Sequence, residues 1–182
     1  LWIATYTNGI TIIDPFSPEI IRTRHEYREP NSLINNHVNV IFEDSDGDLW
    51  YGTNNGISVY DTRKQRWKHF LDNQENKAVI LCFCEDKDGN IWTGGYGVGA
   101  FRIDKQSGKI HSLLHQKGAN ASGTFDAYHI YAMYADDENL WLGSLDKSMI
   151  QYNLRTKSFN YHSIEAIGDI KPLNDSILLC GT

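Results

Sequence analysis

Apolar and polar residues alternate along this chain in short runs separated by turn formers. Val38 to Glu43 is β-prone, Leu49 to Thr53 is β-prone again, and Asp46-Gly47 lies between them as a two-residue hairpin signal. Asn54-Asn55-Gly56 then breaks the pattern, Ile57 to Tyr60 restarts it, and Arg66 to Phe70 alternates once more with Trp67 and His69 on one face. Four antiparallel strands are therefore expected within about thirty-five residues, the size of one propeller blade.

The same unit recurs. Leu1 to Ile10, Ile91 to Ala100, Leu140 to Ser144 and Leu178 to Thr182 each match the stretch beginning at Leu49, with Trp2, Trp50, Trp92, Trp141 and Leu179 in register. A period of about 40 to 50 residues with four strands per repeat predicts a β-propeller, whereas solenoids of similar period carry helical patterns. The expected fold is all-β, a β-propeller with four-stranded antiparallel blades and about four repeat intervals, forming a fragment of a larger propeller. The predicted divisions are a partial blade over 1–30, blades over 31–74, 75–116 and 117–163, and a partial blade over 164–182. Both ends fall in or after a second strand, so the chain reads as a piece of a longer protein.

Composition narrows the partners. An apolar content of 41% supports a packed core, and the formal net charge of −6 provides no basic footprint for nucleic acid or anionic membrane. No apolar run approaches the length of a transmembrane helix. The Gly94 to Gly99 stretch is glycine-rich, but no helix pattern follows it as a phosphate-binding loop requires. Cys82 and Cys84, two apart on one strand, do not suit a disulfide, and with Cys180 they form no zinc pattern; they read as small buried side chains.

Propeller geometry sorts the loops into two faces. The turn after each second strand and the crossover between blades share one face, which collects Tyr6, Asn54, Asn55, Tyr96, Tyr128 and the crossover residues His37 and His129. These seven are the candidate ligand-binding residues. Trp2, Trp50, Trp92 and Trp141 could stack on sugars, but their equivalent mid-strand places predict packing between blades. Asp44, Asp46 and Asp48 alternate as calcium ligands do, yet the glycine arrives too early for an EF-hand loop and no closing glutamate follows, so the hairpin is read as a turn. The stretch Asp44 to Trp50 is similar to the sialidase aspartate box, one residue short and without its serine. No catalytic constellation, metal set or cofactor motif is found, and the Gln116 to Phe125 insertion is read as a functional or mobile loop.

The pattern Val38-x-x-Ile41-x-Glu43-Asp44-x-x-Gly47-x-Leu49-Trp50-x-Gly52-Thr53-x-x-Gly56-Ile57-x-x-Tyr60-Asp61 closely resembles the two-component regulator propeller repeat. Ala4, Thr93, Leu179 and the shortened turn Asp136 to Asn139 depart from it. The resemblance implies the periplasmic sensor region of a hybrid two-component system of Bacteroides-type bacteria. Such proteins carry about fourteen repeats in two propellers, which implies that this chain is part of a seven-bladed ring, followed by an immunoglobulin-like domain, a membrane helix, a histidine kinase, a receiver and a DNA-binding domain. It further implies a glycan-derived oligosaccharide as ligand, a homodimeric receptor, control of polysaccharide-utilisation genes, and no enzymatic activity in this segment. A scaffold or protein-interaction role is the alternative, and a propeller lyase or glycosidase a more distant one.

Overall fold

The computed structural model describes residues 1–72, 77–116, 118, 124–174 and 177–181. Every regular element among the described residues is a strand. A three-stranded sheet opens the chain, with β1 (Trp2–Ala4), β2 (Ile10–Ile13) and β3 (Ile20–Thr23) in sequence order. Three four-stranded sheets follow, again in sequence order: β4 (Val38–Glu43) to β7 (Arg66–Phe70) through β5 (Leu49–Thr53) and β6 (Gly56–Asp61); β8 (Val79–Glu85) to β11 (Ile110–Ser112) through β9 (Ile91–Tyr96) and β10 (Gly99–Ile103); and β12 (Ile130–Ala135) to β15 (Phe159–His162) through β13 (Asn139–Ser144) and β14 (Ser148–Asn153). A pair, β16 (Asp169–Asn174) and β17 (Ile177–Gly181), closes it. These are the antiparallel sheets of a β-propeller, each built from consecutive strands. Most of the Gln116 to Phe125 insertion lies outside the described residues.

The chain divides into two compact units, residues 1–80 and 81–182. In the first unit, Ile10, Leu33, Val38, Leu49 and Tyr51 form the core, with Tyr60 and Trp67 against it. In the second, Trp92, Phe125, Ile130, Leu140, Ile150, Tyr152 and Phe159 belong to one cluster, and Ala132, Met149, Ile167 and Ile170 to another. Burying each large side chain is worth about 2 kcal/mol by area.

The glycine two residues after Trp50, Trp92 and Trp141 lets neighbouring sheets approach. A Cβ on Gly52 would lie 2.6 Å from Val40 and 2.7 Å from Ile80; one on Gly94 would lie 2.7 Å from Ile130; one on Gly143 would lie 2.7 Å from Ile167. Three turn glycines serve another end. Gly9, Gly56 and Gly99 hold positive φ and donate their N–H groups to the carbonyls of Asn36, Ala78 and Tyr128, tying the second-strand turn to the following crossover.

Two expectations change. The Asp46-Gly47 hairpin is not a two-residue loop. Asp44 N–H donates to the Asp48 carbonyl at 3.0 Å, Gly47 N–H donates back to Asp44 at 2.9 Å, and of these turn residues only Gly47 has positive φ. This is the three-residue loop, a turn followed by a left-handed residue, and Asp86 to Asn90 repeats it. The tryptophans are also not uniformly core. Trp50 and Trp92 are buried and Trp141 is half-buried, but Trp2 is 39% exposed, with a ring contact to Tyr51 at 6.3 Å.

Candidate functional site

The most constant chemistry of the repeat is structural. In each four-stranded sheet one aspartate caps the first hairpin with one oxygen and holds the tryptophan indole with the other. Asp44 Oδ1 accepts from the N–H groups of Asp46 and Asp48, and Oδ2 accepts from Trp50 Nε1 at 2.9 Å. Asp86 does the same for Asp88, Asn90 and Trp92 Nε1, the last at 2.7 Å. Asp136 does so for Glu138, Asn139 and Trp141 Nε1, also at 2.7 Å. A carboxylate alone offers enough acceptor sites for three donors, which explains the spacing of aspartate and tryptophan. Among the described residues no group of histidine, cysteine, aspartate and glutamate could hold a metal ion.

The candidate residues of the first unit cluster around the turn after β1 and the crossover into β4. Tyr6 is 76% exposed, and its ring centroid lies 3.6 Å from that of His37, edge to face. Asn54 N–H donates to the His37 carbonyl at 3.1 Å, and the Asn54 side chain accepts from Asn39 Nδ2 at 2.9 Å. Asn39 Nδ2 also donates to the Ile80 carbonyl, so the pair of amides is anchored to backbone. Asn55 donates its N–H to Thr53 Oγ1, while its own Oδ1 is buried with no hydrogen-bond partner among the described residues. Tyr6, His37 and Asn54 are thus brought together, and Asn55 turns inward beside them.

The second unit repeats the arrangement with an added carboxylate. Tyr96, 56% exposed, meets His129 with ring centroids 4.5 Å apart and an interplanar angle of 63°. Leu145 N–H donates to the His129 carbonyl, the counterpart of the Asn54 bond to His37. Tyr128 is 38% exposed, and its Oη lies 3.4 Å from His115 Nε2. Asp146, which sequence reasoning passed over, accepts from the N–H groups of Tyr128 and His129 and from Ser144 Oγ, and lies 3.9 Å from His129 Nδ1. Burial pulls its pKa upward, but the Ser144 hydroxyl and these backbone donors outweigh it and leave the carboxyl below its usual range. Tyrosine and histidine recur as partners: Tyr6 with His37 and Tyr96 with His129. The two other equivalent places hold Asn54 with Val79 and Leu145 with Ala166.

A further histidine, His69, contacts Ser58 Oγ through Nδ1 at 3.2 Å, with Nε2 3.3 Å from the Pro30 carbonyl. Ser58 is fully buried and its hydroxyl accepts from the Ile34 N–H, so the pair fastens the crossover onto β6 and exposes no nucleophile. Cys82 and Cys84 are buried free thiols; burial pushes Cys82 up to about 12 and Cys84 well above the usual thiol value.

The profile of the two-component regulator propeller matches residues 32–55 and 74–97. No curated protein matches the chain. Among solved structures, the extracellular domain of a hybrid two component system from B. thetaiotaomicron superposes with a TM-score of 0.77 at 21% identity, over 100% of this chain and 24% of that one. A second B. thetaiotaomicron extracellular domain, of a one component system, gives a TM-score of 0.75 at 19% identity over the same shares. Virginiamycin B lyase from Staphylococcus aureus gives 0.70 at 21% identity, over 98% of this chain and 58% of that one. The chain therefore spans about a quarter of the length of the B. thetaiotaomicron domains, and these likenesses carry the fold alone. Residues 32–55 and 74–97 thus match the two-component regulator propeller repeat, and the chain that carries them is a β-propeller segment similar to the extracellular domains of a hybrid two component and a one component system of B. thetaiotaomicron.

Proposed function

We propose that this segment belongs to the periplasmic sensor region of a hybrid two-component system and contributes directly to binding a glycan-derived oligosaccharide, with no catalysis of its own. The observation that carries this reading is the recurrence of an exposed tyrosine edge-on to a crossover histidine, Tyr6 with His37 and Tyr96 with His129, beside amides in one unit and a carboxylate in the other. An exposed aromatic face suits the apolar face of a pyranose, and anchored amide or carboxylate groups suit its hydroxyls. The repeat's tryptophans and hairpin aspartates hold the blades, so specificity falls to the turns and crossovers. In the intact receptor, a homodimer completed by further blades and domains, ligand binding favours one packing of blades or protomers and so sets kinase output and the transcription of polysaccharide-utilisation genes.

Calorimetric titration of the chain, and of the intact sensor region, against defined oligosaccharides tests this. One glycan is expected to bind, with Tyr96→Ala and His129→Ala each weakening it at least ~10-fold, about 1.4 kcal/mol. Unchanged affinity in Tyr6→Ala, His37→Ala, Tyr96→Ala and His129→Ala variants of the intact region would make these blades scaffold. The likeness to a lyase leads to a separate measurement, turnover of the bound glycan, which is expected to be nil.

A further inference from the structure

A second feature lies away from these loops, among the outer strands of the second unit. Strand register sets Trp92, Arg102 and His111 in one cross-strand row over β9, β10 and β11. Tyr152 and Phe159, paired across β14 and β15 and stacked at 4.9 Å, face that row, with Trp92 edge-on to Tyr152 at 5.8 Å. Lys157, in the turn between β14 and β15, reaches over the Tyr152 ring at 5.8 Å. Together with Gln116 these side chains line a cavity of about 190 Å³.

The cavity has cationic donors, one of them without an acceptor among the described residues. Arg102 Nε is buried without a hydrogen-bond partner among the described residues. An arginine is always charged, and a buried donor left without an acceptor is costly. The neighbouring carboxylates act on these cations through charge, Asp104 on Arg102 and Asp86 with Asp88 on Lys157, while Asp86 and Asp104 take their hydrogen bonds from other donors. Asp86 accepts from Asp88 N–H, Asn90 N–H, Asn90 Nδ2 and Trp92 Nε1, and Asp104 accepts from the Ser107 N–H. Lys157 feels the same environment: burial first, and then the Arg102 charge, hold its pKa below the ordinary lysine value.

The geometry points to this cavity as a binding site for a small oxyanion, the carboxylate or sulfate group of an organic ligand, taken by Arg102 with Lys157 and His111 at its rim. A guanidinium and an ammonium on an aromatic floor offer charge-assisted donors in a partly desolvated setting, which favours an anion over a neutral polyol of equal size. This reading stands apart from the Tyr–His loops, so either can fail without the other.

The test is a titration of the chain followed through the Arg102 Nε–H resonance and Trp92 fluorescence at constant ionic strength, with chloride as background. Inorganic sulfate and sodium glucuronate are the two probes, and glucose is the neutral control. Saturable shifts with sulfate alone assign a sulfate site, with glucuronate alone a carboxylate site, and with both a general oxyanion site, glucose having no effect in each case. Arg102→Met is expected to abolish binding, and Lys157→Gln, in an exposed turn, to weaken it at least ~5-fold. Linear shifts with neither anion saturating, equal shifts with glucose, or undiminished affinity in Lys157→Gln and a folded Arg102→Met would overturn the proposal and leave a water as the partner of Arg102.

Discussion

A single aspartate per sheet satisfies both a hairpin and an indole, and removing it strands several donors at once. Asp86→Ala leaves Trp92 Nε1 buried without an acceptor and uncaps the 86–90 turn. Its cost is expected to be about 3 kcal/mol in urea unfolding, while Asp86→Asn, which keeps one acceptor oxygen, costs less. Glycines with the same sign of φ are not equivalent either. A Cβ on Gly47 (φ 81°) meets nothing within 4 Å, whereas one on Gly56 (φ 92°) lies 2.5 Å from the Leu71 carbonyl oxygen and 2.6 Å from that of Phe70. Gly47→Ala is expected to cost about 1 kcal/mol, the conformational term alone, and Gly56→Ala clearly more, since backbone must move. Both glycines were legible in the sequence as turn residues. Which of the two is immovable depends on the carbonyls of Phe70 and Leu71, fourteen or more residues away in the chain.

At the scale of strands and sheets, the pleat was readable because period-two alternation and turn chemistry are local. The strands around Asp46-Gly47 and Asp88-Gly89 form as expected, but the loop type differed because Asp44 and Asp86 draw the turn onto their carboxylates. Contacts between sheets were legible only as a motif. Gly94 exists to admit Ile130, whose Cβ and Cγ2 would both sit 2.7 Å from an added methyl. Gly94→Ala is expected to cost about 2 kcal/mol by overpacking, and less in an Ile130→Ala background, the non-additivity that a double-mutant cycle reads. Trp50 and Trp92 each have a hairpin aspartate and an aromatic cover, Phe70 and Tyr152 respectively, and Trp2 has a ring contact with Tyr51.

Across the whole molecule, carboxylates dominate the response to acid. Asp61 and Asp104 are held below the usual range chiefly by the Lys64 and Ser107 N–H groups in third-to-fourth strand turns; in Asp136 and Asp146, burial is outweighed by hydrogen bonds. A depressed folded pKa means that the stabilisation is fully present above the unfolded value of about 3.9 and is lost as pH falls through the folded pKa. The urea midpoint is therefore expected to hold level through neutrality and fall below about pH 4, with a shallower fall in Asp136→Asn. Thiol chemistry reads the core from the other direction. At pH 8 a thiol reagent is expected to label the exposed Cys180 rapidly and to reach Cys82 and Cys84 only as the second unit unfolds.

What the sequence determined by itself was the repeat: strand, turn, strand, with tryptophan, glycine and aspartate at fixed places, because alternation, left-handed turn positions and hairpin chemistry act over a few neighbouring residues. It also nominated Tyr6, His37, Tyr96 and His129 from the loop they occupy. Only the tertiary structure decided that these four form two edge-to-face pairs, that Asp146 joins one of them, and that Arg102 stands over a cavity with a donor unused. Each of those facts depends on side chains brought together from different sheets or crossovers, distances that no local pattern along the chain encodes.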